Sequence, residues 1–194
     1  DAMELLQQNV TIVDTFEDIE SIDAIIIRTI EVNRDVISRA KNLKVIGKHG
    51  VGCNTIDLES AKEYDIPVLN TPSANTNSVA ELIVGLALAA CRHIPYANAG
   101  CRKNEFVTIA PAMVTGIELT GKTLGLVGMG NIAQRTAEIM SLGFCMKVVG
   151  YDPYINMEKA QQMGVKRYDN LWEMIAVSDI VNISVPLTGS TKDL

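Results

Sequence analysis

Gly121–Asp152, GKTLGLVGMGNIAQRTAEIMSLGFCMKVVGYD, is the stretch in which residue type and spacing agree on one fold and one ligand. Thr123–Val127 is an apolar run of strand length, Gly128-Met129-Gly130-Asn131-Ile132-Ala133 is G-x-G-x-x-A, and Lys147–Tyr151 is a second apolar run ending on Asp152. Strand, glycine turn, helix and strand in that order make a dinucleotide-binding βαβ unit. Each small residue has a physical task. Gly128 lets the chain turn sharply off the strand, Gly130 removes the Cβ that would keep a pyrophosphate away, and Ala133 lets the helix lie close on the sheet. A helix beginning near Asn131 aims its unpaired N–H groups at the phosphates. Ile132, Ala133, Thr136, Ala137 and Met140 form its apolar stripe, while Gln134, Arg135 and Glu138 face away.

Asp152 follows Gly130 by 22 residues. That is close to the ~20-residue offset at which an acid at the end of the second strand accepts hydrogen bonds from a ribose 2′-OH. A carboxylate there repels a 2′-phosphate, and the next residues, Pro153-Tyr154-Ile155-Asn156, bring no arginine to reverse the preference. NAD is favoured over NADP.

The remaining composition fits an α/β protein. A chain of 194 residues, 47% hydrophobic and 21% charged, has room for one large or two small domains. A net charge of −6 without a basic cluster argues against a nucleic-acid surface. Cys53, Cys91, Cys101 and Cys145 show no CxxC spacing and no histidine at zinc-ligand distance. They are expected to be reduced, mostly buried thiols of a cytoplasmic protein, with no metal site. The start shows no signal-peptide pattern. Leu82–Cys91, the most apolar stretch, is too short to span a bilayer and is expected as a buried helix.

From the start of the chain, Ala2–Leu6 is helix-like, and Val10–Val13 and Ala24–Ile27 are apolar runs of strand type, the second followed by Arg28. Asn33 is the expected N-cap of a helix over Arg34–Ala40, and Lys44–Gly47 is a third strand. Strands alternating with helices predict a parallel sheet. The third strand runs into Lys48-His49-Gly50-Val51-Gly52-Cys53, a glycine-bearing turn at a strand's carboxyl end, where open α/β sheets place ligands. Its backbone N–H groups suit a carboxylate or phosphate; the other reading is an ordinary turn with Asp57 capping a helix over Leu58–Glu63. Pro67–Leu69 is a strand and Asn70–Ser78 a polar loop. A helix over about Asn77–His93, apolar on nearly all faces, is expected to lie between two domains.

Lys44–Gly52 (KVIGKHGVG), Ile66–Thr71 (IPVLNT), Asn75–Glu81 (NTNSVAE), Gly121–Gly130 (GKTLGLVGMG) and Gly150–Pro153 (GYDP) stand in this order and spacing. In these motifs the chain resembles the D-isomer-specific 2-hydroxyacid dehydrogenase family, and within it the D-3-phosphoglycerate dehydrogenase branch. The resemblance covers essentially the whole chain. It implies NAD-dependent interconversion of a 2-hydroxy acid and its 2-keto acid by a flavodoxin-like and a Rossmann-type domain with a cleft between them, assembled as a homodimer.

The resemblance also implies residue roles. Cofactor contacts fall on Val51 at the nicotinamide, Gly128, Gly130, Asn131 and Ile132 at the pyrophosphate, Asp152 at the ribose, and Val185 and Pro186 near the adenosine. Substrate contacts fall on the backbone of Gly50, Val51 and Gly52, with Arg28, Lys48 and Asn75 as side-chain candidates. Several positions depart from the family pattern: Ala133 replaces a glycine, Asn131 stands where Arg is common, and Asn54-Thr55 replaces Asp-Asn. Lys48 replaces a frequent Arg, exchanging a bidentate fork for a point charge, which weakens the case for a phosphorylated substrate. The family's catalytic Arg, Glu and His fall in motifs past Leu194, so no catalytic residue is assigned in this chain. His49 and His93 read as structural residues. The organisation expected is a fragment: a substrate-binding portion over 1–98, the first half of an NAD domain over 99–194, and Ala97–Val107 as the crossing. A non-catalytic NAD-sensing binding protein, like the co-repressors on this fold, is the alternative; the loop Asn70–Ser78 resembles the enzyme branch.

Overall fold

The computed structural model describes residues 2–106 and 112–194. The backbone separates into two compact units, Asp1–Pro72 and Ser73–Leu194. Val107, the far end of the expected crossing, lies outside the described residues.

The first unit runs α1 (Ala2–Asn9), β1 (Ala24–Ile27), α2 (Arg34–Arg39), β2 (Val45–Lys48), α3 (Leu58–Glu63) and β3 (Val68–Asn70). Its three strands are parallel, in the order β1-β2-β3. Ile25, Ile46 and Val68 share one register row, and Ile27, Lys48 and Asn70 another. Alternation along each strand sends Ile25, Ile27 and Ile46 into a core completed by Val32, Ile37 and Ala61. The helices form where caps permit: Asn33 Oδ1 accepts from Val36 N–H at 3.1 Å and Asp57 Oδ1 from Ser60 N–H at 2.9 Å. Val10–Val13, expected as a strand, is not one. Among the described residues no neighbour pairs with it, and Val10 and Val13 are exposed; β-propensity without a partner strand leaves the backbone to water.

The second unit contains α4 (Thr76–Cys91), α5 (Ile94–Arg102), β4 (Thr123–Val127), α6 (Asn131–Phe144), β5 (Lys147–Tyr151), α7 (Met157–Gln162), β6 (Lys166–Arg167), α8 (Leu171–Ala176) and β7 (Ile180–Ile183). All four strands are parallel, in the order β6-β5-β4-β7. The predicted stripe of α6 is the buried one: Ala133, Thr136, Ala137 and Met140 face the sheet. Burying a side chain the size of Met140 contributes about 1.5–3 kcal/mol, so this stripe holds the helix start at the strand ends. The expected helix over Asn77–His93 ends at Cys91, because His93 adopts a left-handed conformation (φ 52°) and opens α5. It is not the buried helix expected: of its residues only Ala80 is fully buried. Val84, Ala87, Leu88 and Cys91 pack against the core that includes the α6 stripe, whereas Leu82 and Leu86 are each 60% exposed. This packing sets the compact second unit to begin at Ser73. Among the described residues no single helix is long and apolar enough to cross a membrane.

Candidate functional site

In the second unit the glycine turn is built around two backbone requirements. Gly128 has φ +85°, and a Cβ there would stand 2.6 Å from the Ser184 carbonyl oxygen and 2.7 Å from Val185 Cγ1. Only glycine accommodates both the dihedral and the approach. Val185 is thereby brought against the turn, although β7 ends two residues before it. Gly130 is different. It is the N-cap of α6, with an extended backbone (φ −74°, ψ −173°), and nothing lies within 4 Å of where its Cβ would be. The helix therefore opens onto free space with no side-chain cap. Gln134 N–H is the first to find a partner, in the Gly130 carbonyl at 2.9 Å. Among the described residues no protein acceptor takes the N–H groups of Gly130, Asn131, Ile132 or Ala133. Four open donors at the positive end of a helix dipole suit an anion.

Asp152 is fixed beside this turn. Its Oδ2 accepts from Met129 N–H at 2.9 Å and its Oδ1 from Tyr154 N–H at 2.8 Å. Gly128 N–H donates to the Tyr151 carbonyl at 2.9 Å, so the ends of β4 and β5 are tied on both sides of the acid. Each carboxylate oxygen keeps a further acceptor site, so the group can still take hydroxyl donors. The start of β4 is braced by another acid: Asp179 Oδ2 accepts from Thr123 N–H at 2.8 Å, and that bond, with Lys122 nearby, holds its carboxyl below the usual range. A groove of about 490 Å³ lies alongside, lined by Ser73, Ala74, Thr76, Asn77, Asn131, Gln134, Arg135 and Glu138. Arg135 Nε donates to Asn77 Oδ1 at 2.9 Å across it.

In the first unit the turn after β2 is braced from β3. Gly50 N–H donates to Thr71 Oγ1 at 3.0 Å, Thr71 N–H to the Gly50 carbonyl at 3.1 Å, and Asn70 Nδ2 to the Val51 carbonyl at 2.8 Å. Among the described residues the N–H groups of Val51 and Gly52 have no protein acceptor, so two adjacent donors on an exposed turn stay open, a candidate anion cradle. The Asp57 cap coexists with this cradle. Its carboxyl is held below the usual range, first by Ser60 N–H and then by the Ser60 hydroxyl.

The expected residues thus fall into two groups. Gly128, Gly130, Asn131, Ile132, Asp152, Val185 and Pro186 belong to the second unit, and Arg28, Lys48, Gly50, Val51 and Gly52 to the first; Asn75 falls in the second unit, at the start of α4. Arg28 is exposed. Lys48 is only 7% exposed, and its Nζ donates to the Arg28 carbonyl and, at 2.8 Å, to Thr55 Oγ1. Strand alternation carried one step past Ile46 would have shown that Lys48 faces the core side. Asn70, Thr71 and Thr55 brace this region without any mark in the sequence, since only proximity in the fold gives them that role. His49 and His93 are both exposed. The cysteines are free, but they are not mostly buried: Cys101 and Cys145 are exposed and Cys53 and Cys91 half-buried. Cys145 is exposed because it terminates α6 in a left-handed conformation. Among the described residues no cluster of His, Cys, Asp and Glu has metal-ligating geometry.

Comparison with known proteins places these features in context. Residues 84–194 match the family model for the D-isomer specific 2-hydroxyacid dehydrogenase NAD binding domain. The chain is 43% identical over 182 residues to D-3-phosphoglycerate dehydrogenase of Methanocaldococcus jannaschii, covering 93% of this chain and 34% of that one. It is 41% identical over 177 residues to hydroxypyruvate reductase of Thermotoga maritima, covering 91% and 55%. The chain therefore spans about a third to about half of the length of these relatives. Its fold is that of D-lactate dehydrogenase from Aquifex aeolicus, solved with NAD and lactic acid: TM-score 0.86, 24% identity, 98% of this chain and 58% of that one.

Proposed function

We propose, from the premise that the chain belongs to the D-isomer-specific 2-hydroxyacid dehydrogenase family and to its D-3-phosphoglycerate dehydrogenase branch, that it serves an NAD-dependent oxidoreductase acting on a D-2-hydroxy acid. The observation that carries this reading is the α6 start: four open N–H donors behind a glycine with free space in front of it, and a carboxylate tied at the neighbouring strand end. These residues fit a dinucleotide. Gly130, Asn131 and Ile132 would hold its pyrophosphate, Asp152 a ribose hydroxyl, and Val185 and Pro186 the adenosine side. Val51 would stand at the nicotinamide. When bound, NAD supplies the acceptor for the hydride that leaves the hydroxyl-bearing carbon.

The chain's own residues bind and orient. The N–H groups of Val51 and Gly52 take the substrate carboxylate, while Gly50, whose own N–H is held by Thr71, shapes the turn; Arg28 and Asn75 add side-chain donors. Such contacts exist in ground and transition states alike, so they act on KM more than on kcat. No residue of this chain is assigned as the acid–base group for the hydroxyl proton. In this functional division residues 1–98 serve the substrate and 99–194 the dinucleotide; the packing boundary at Ser73 comes earlier because α4 packs with α6. A homodimer in the cytoplasm completes the proposal, supported by the exposed Leu82 and Leu86 and by four free thiols.

The test is a screen of the full-length protein with NAD or NADP against D-3-phosphoglycerate, D-glycerate, sulfolactate and D-lactate. NADH formation with at least one acid, and slower turnover with NADP, is expected. NAD binding without turnover of any 2-hydroxy acid, or its 2-keto acid in reverse, would leave the protein an NAD-responsive binding module and overturn the reading.

A further inference from the structure

Lys48 closes β2 on the core side of the first sheet, in register with Ile27 and Asn70. An ammonium taken out of water needs acceptors for its N–H groups. Two are provided, the Arg28 carbonyl and the Thr55 hydroxyl, and among the described residues no carboxylate pairs with it. The two acceptors flank the anion cradle. Arg28 is the first residue past β1, and Thr55 lies on the segment that returns from the glycine turn to α3. Thr55 is itself anchored: its carbonyl accepts from Val32 N–H at 2.8 Å, and the Val32 carbonyl accepts from Asp57 N–H at 2.9 Å. The lysine stem runs beneath the turn, with Cε 3.8 Å from where a Cβ on Gly50 would sit. To reach outward, the side chain would have to release both bonds.

We propose that Lys48 and Thr55 form a positioning pair. Lys48 pins the end of β1, the glycine turn and the return segment into one loop, so that the substrate anion is taken by the Val51 and Gly52 N–H groups. The lysine does not ligate the anion; it supplies a buried positive charge behind the cradle. This rests on the reading of that turn as the substrate-anion site.

The experiment uses the full-length protein with Thr55→Val, Thr55→Ser, Lys48→Met and the double variant Lys48→Met/Thr55→Val. Two quantities are read: hydrogen–deuterium exchange of residues 49–55, and KM and kcat for a D-2-hydroxy acid. Losing the Thr55 hydroxyl should speed exchange in the turn and raise KM by about 10-fold, the scale of one hydrogen bond to a charged group. Thr55→Ser, which keeps the hydroxyl, should stay close to wild type in both. Kcat should change by less than about two-fold in Thr55→Val, because the hydroxyl touches no reacting atom. The double variant should be no worse than Lys48→Met alone, since both remove the same link. Wild-type exchange and KM in Thr55→Val, with a raised KM in Lys48→Met, would show that Lys48 reaches the substrate itself and would overturn the pair. If Lys48→Met does not fold, the Thr55 variants decide. If the wild-type protein turns over no 2-hydroxy acid, the functional reading fails, and exchange in the turn still decides whether the pair exists.

Discussion

Replacing Gly130 by alanine separates the ligand from the fold. The Gly130 backbone is extended, a conformation any residue adopts, and a methyl group built there meets no atom within 4 Å. Alanine is the poorer N-cap by up to ~1 kcal/mol, and it regains about 0.4–1 kcal/mol by restricting the unfolded chain. The two offset each other, so stability should change by less than about 1 kcal/mol. The same methyl would occupy space that the second glycine of this motif leaves for the approach of a pyrophosphate. Hydrogen bonds to a charged group are worth about 1.5–3 kcal/mol each, so displacing the pyrophosphate from one of them should raise the Kd for NAD by roughly 10- to 100-fold. Urea unfolding and calorimetric NAD titration on the same preparation give both numbers. An NAD affinity within about two-fold of wild type would show that the dinucleotide does not approach Gly130.

Gly128→Ala should behave in the opposite way, with a destabilisation of about 2–4 kcal/mol from the positive φ and the contact with Ser184; a urea midpoint equal to wild type would refute that geometry. Asp152→Ala should weaken NAD and narrow its advantage over NADP, as the ribose acceptor and the repulsion of a 2′-phosphate disappear together; an unchanged ratio of the two Kd values would count against the assignment. Asp57, Glu63 and Asp179 have carboxyls held below their ordinary values, by Ser60, Arg34 and the Thr123 N–H respectively. Their contribution is complete above the ordinary carboxylate range and is lost as pH falls through the lowered values. Urea midpoints measured between about pH 6 and about pH 2 should therefore decline on acidification, and Asp179→Asn should flatten the decline.

The parts of the fold legible in the sequence are those in which several constraints coincide. For β4, α6 and β5 the strand length, the glycine spacing, the helical stripe and the acid all agree, and Thr123–Val127 and Lys147–Tyr151 form with the expected limits. Asn33 and Asp57 were readable as caps because the side chain that satisfies the helix N–H is local. Val10–Val13 shows the limit of that approach, since a strand exists only with a neighbour, and pairing is not a local property. The helices α7 and α8 and the strand β6 have six residues or fewer, too short for periodicity to separate them from turns. At the candidate site the glycines were legible, because a missing Cβ has a direct spatial meaning. The resemblance makes Lys48 a candidate substrate contact, whereas in the fold it is buried and donates to Thr55. That outcome depends on which strand face is covered, and only the packed structure decides it.

Isotopic labelling reads the proposed transfer of hydride from C2 of a D-2-hydroxy acid to NAD without an intermediate assay. The full-length protein would be mixed with NAD and a D-2-hydroxy acid carrying deuterium at C2, and the reduced nicotinamide examined by mass spectrometry. The D isomer should deliver its deuterium to NADH and the L isomer should not. NADH formed without the label, transfer from the L isomer alone, or tight NAD binding with no transfer from any labelled acid would contradict the proposed transfer.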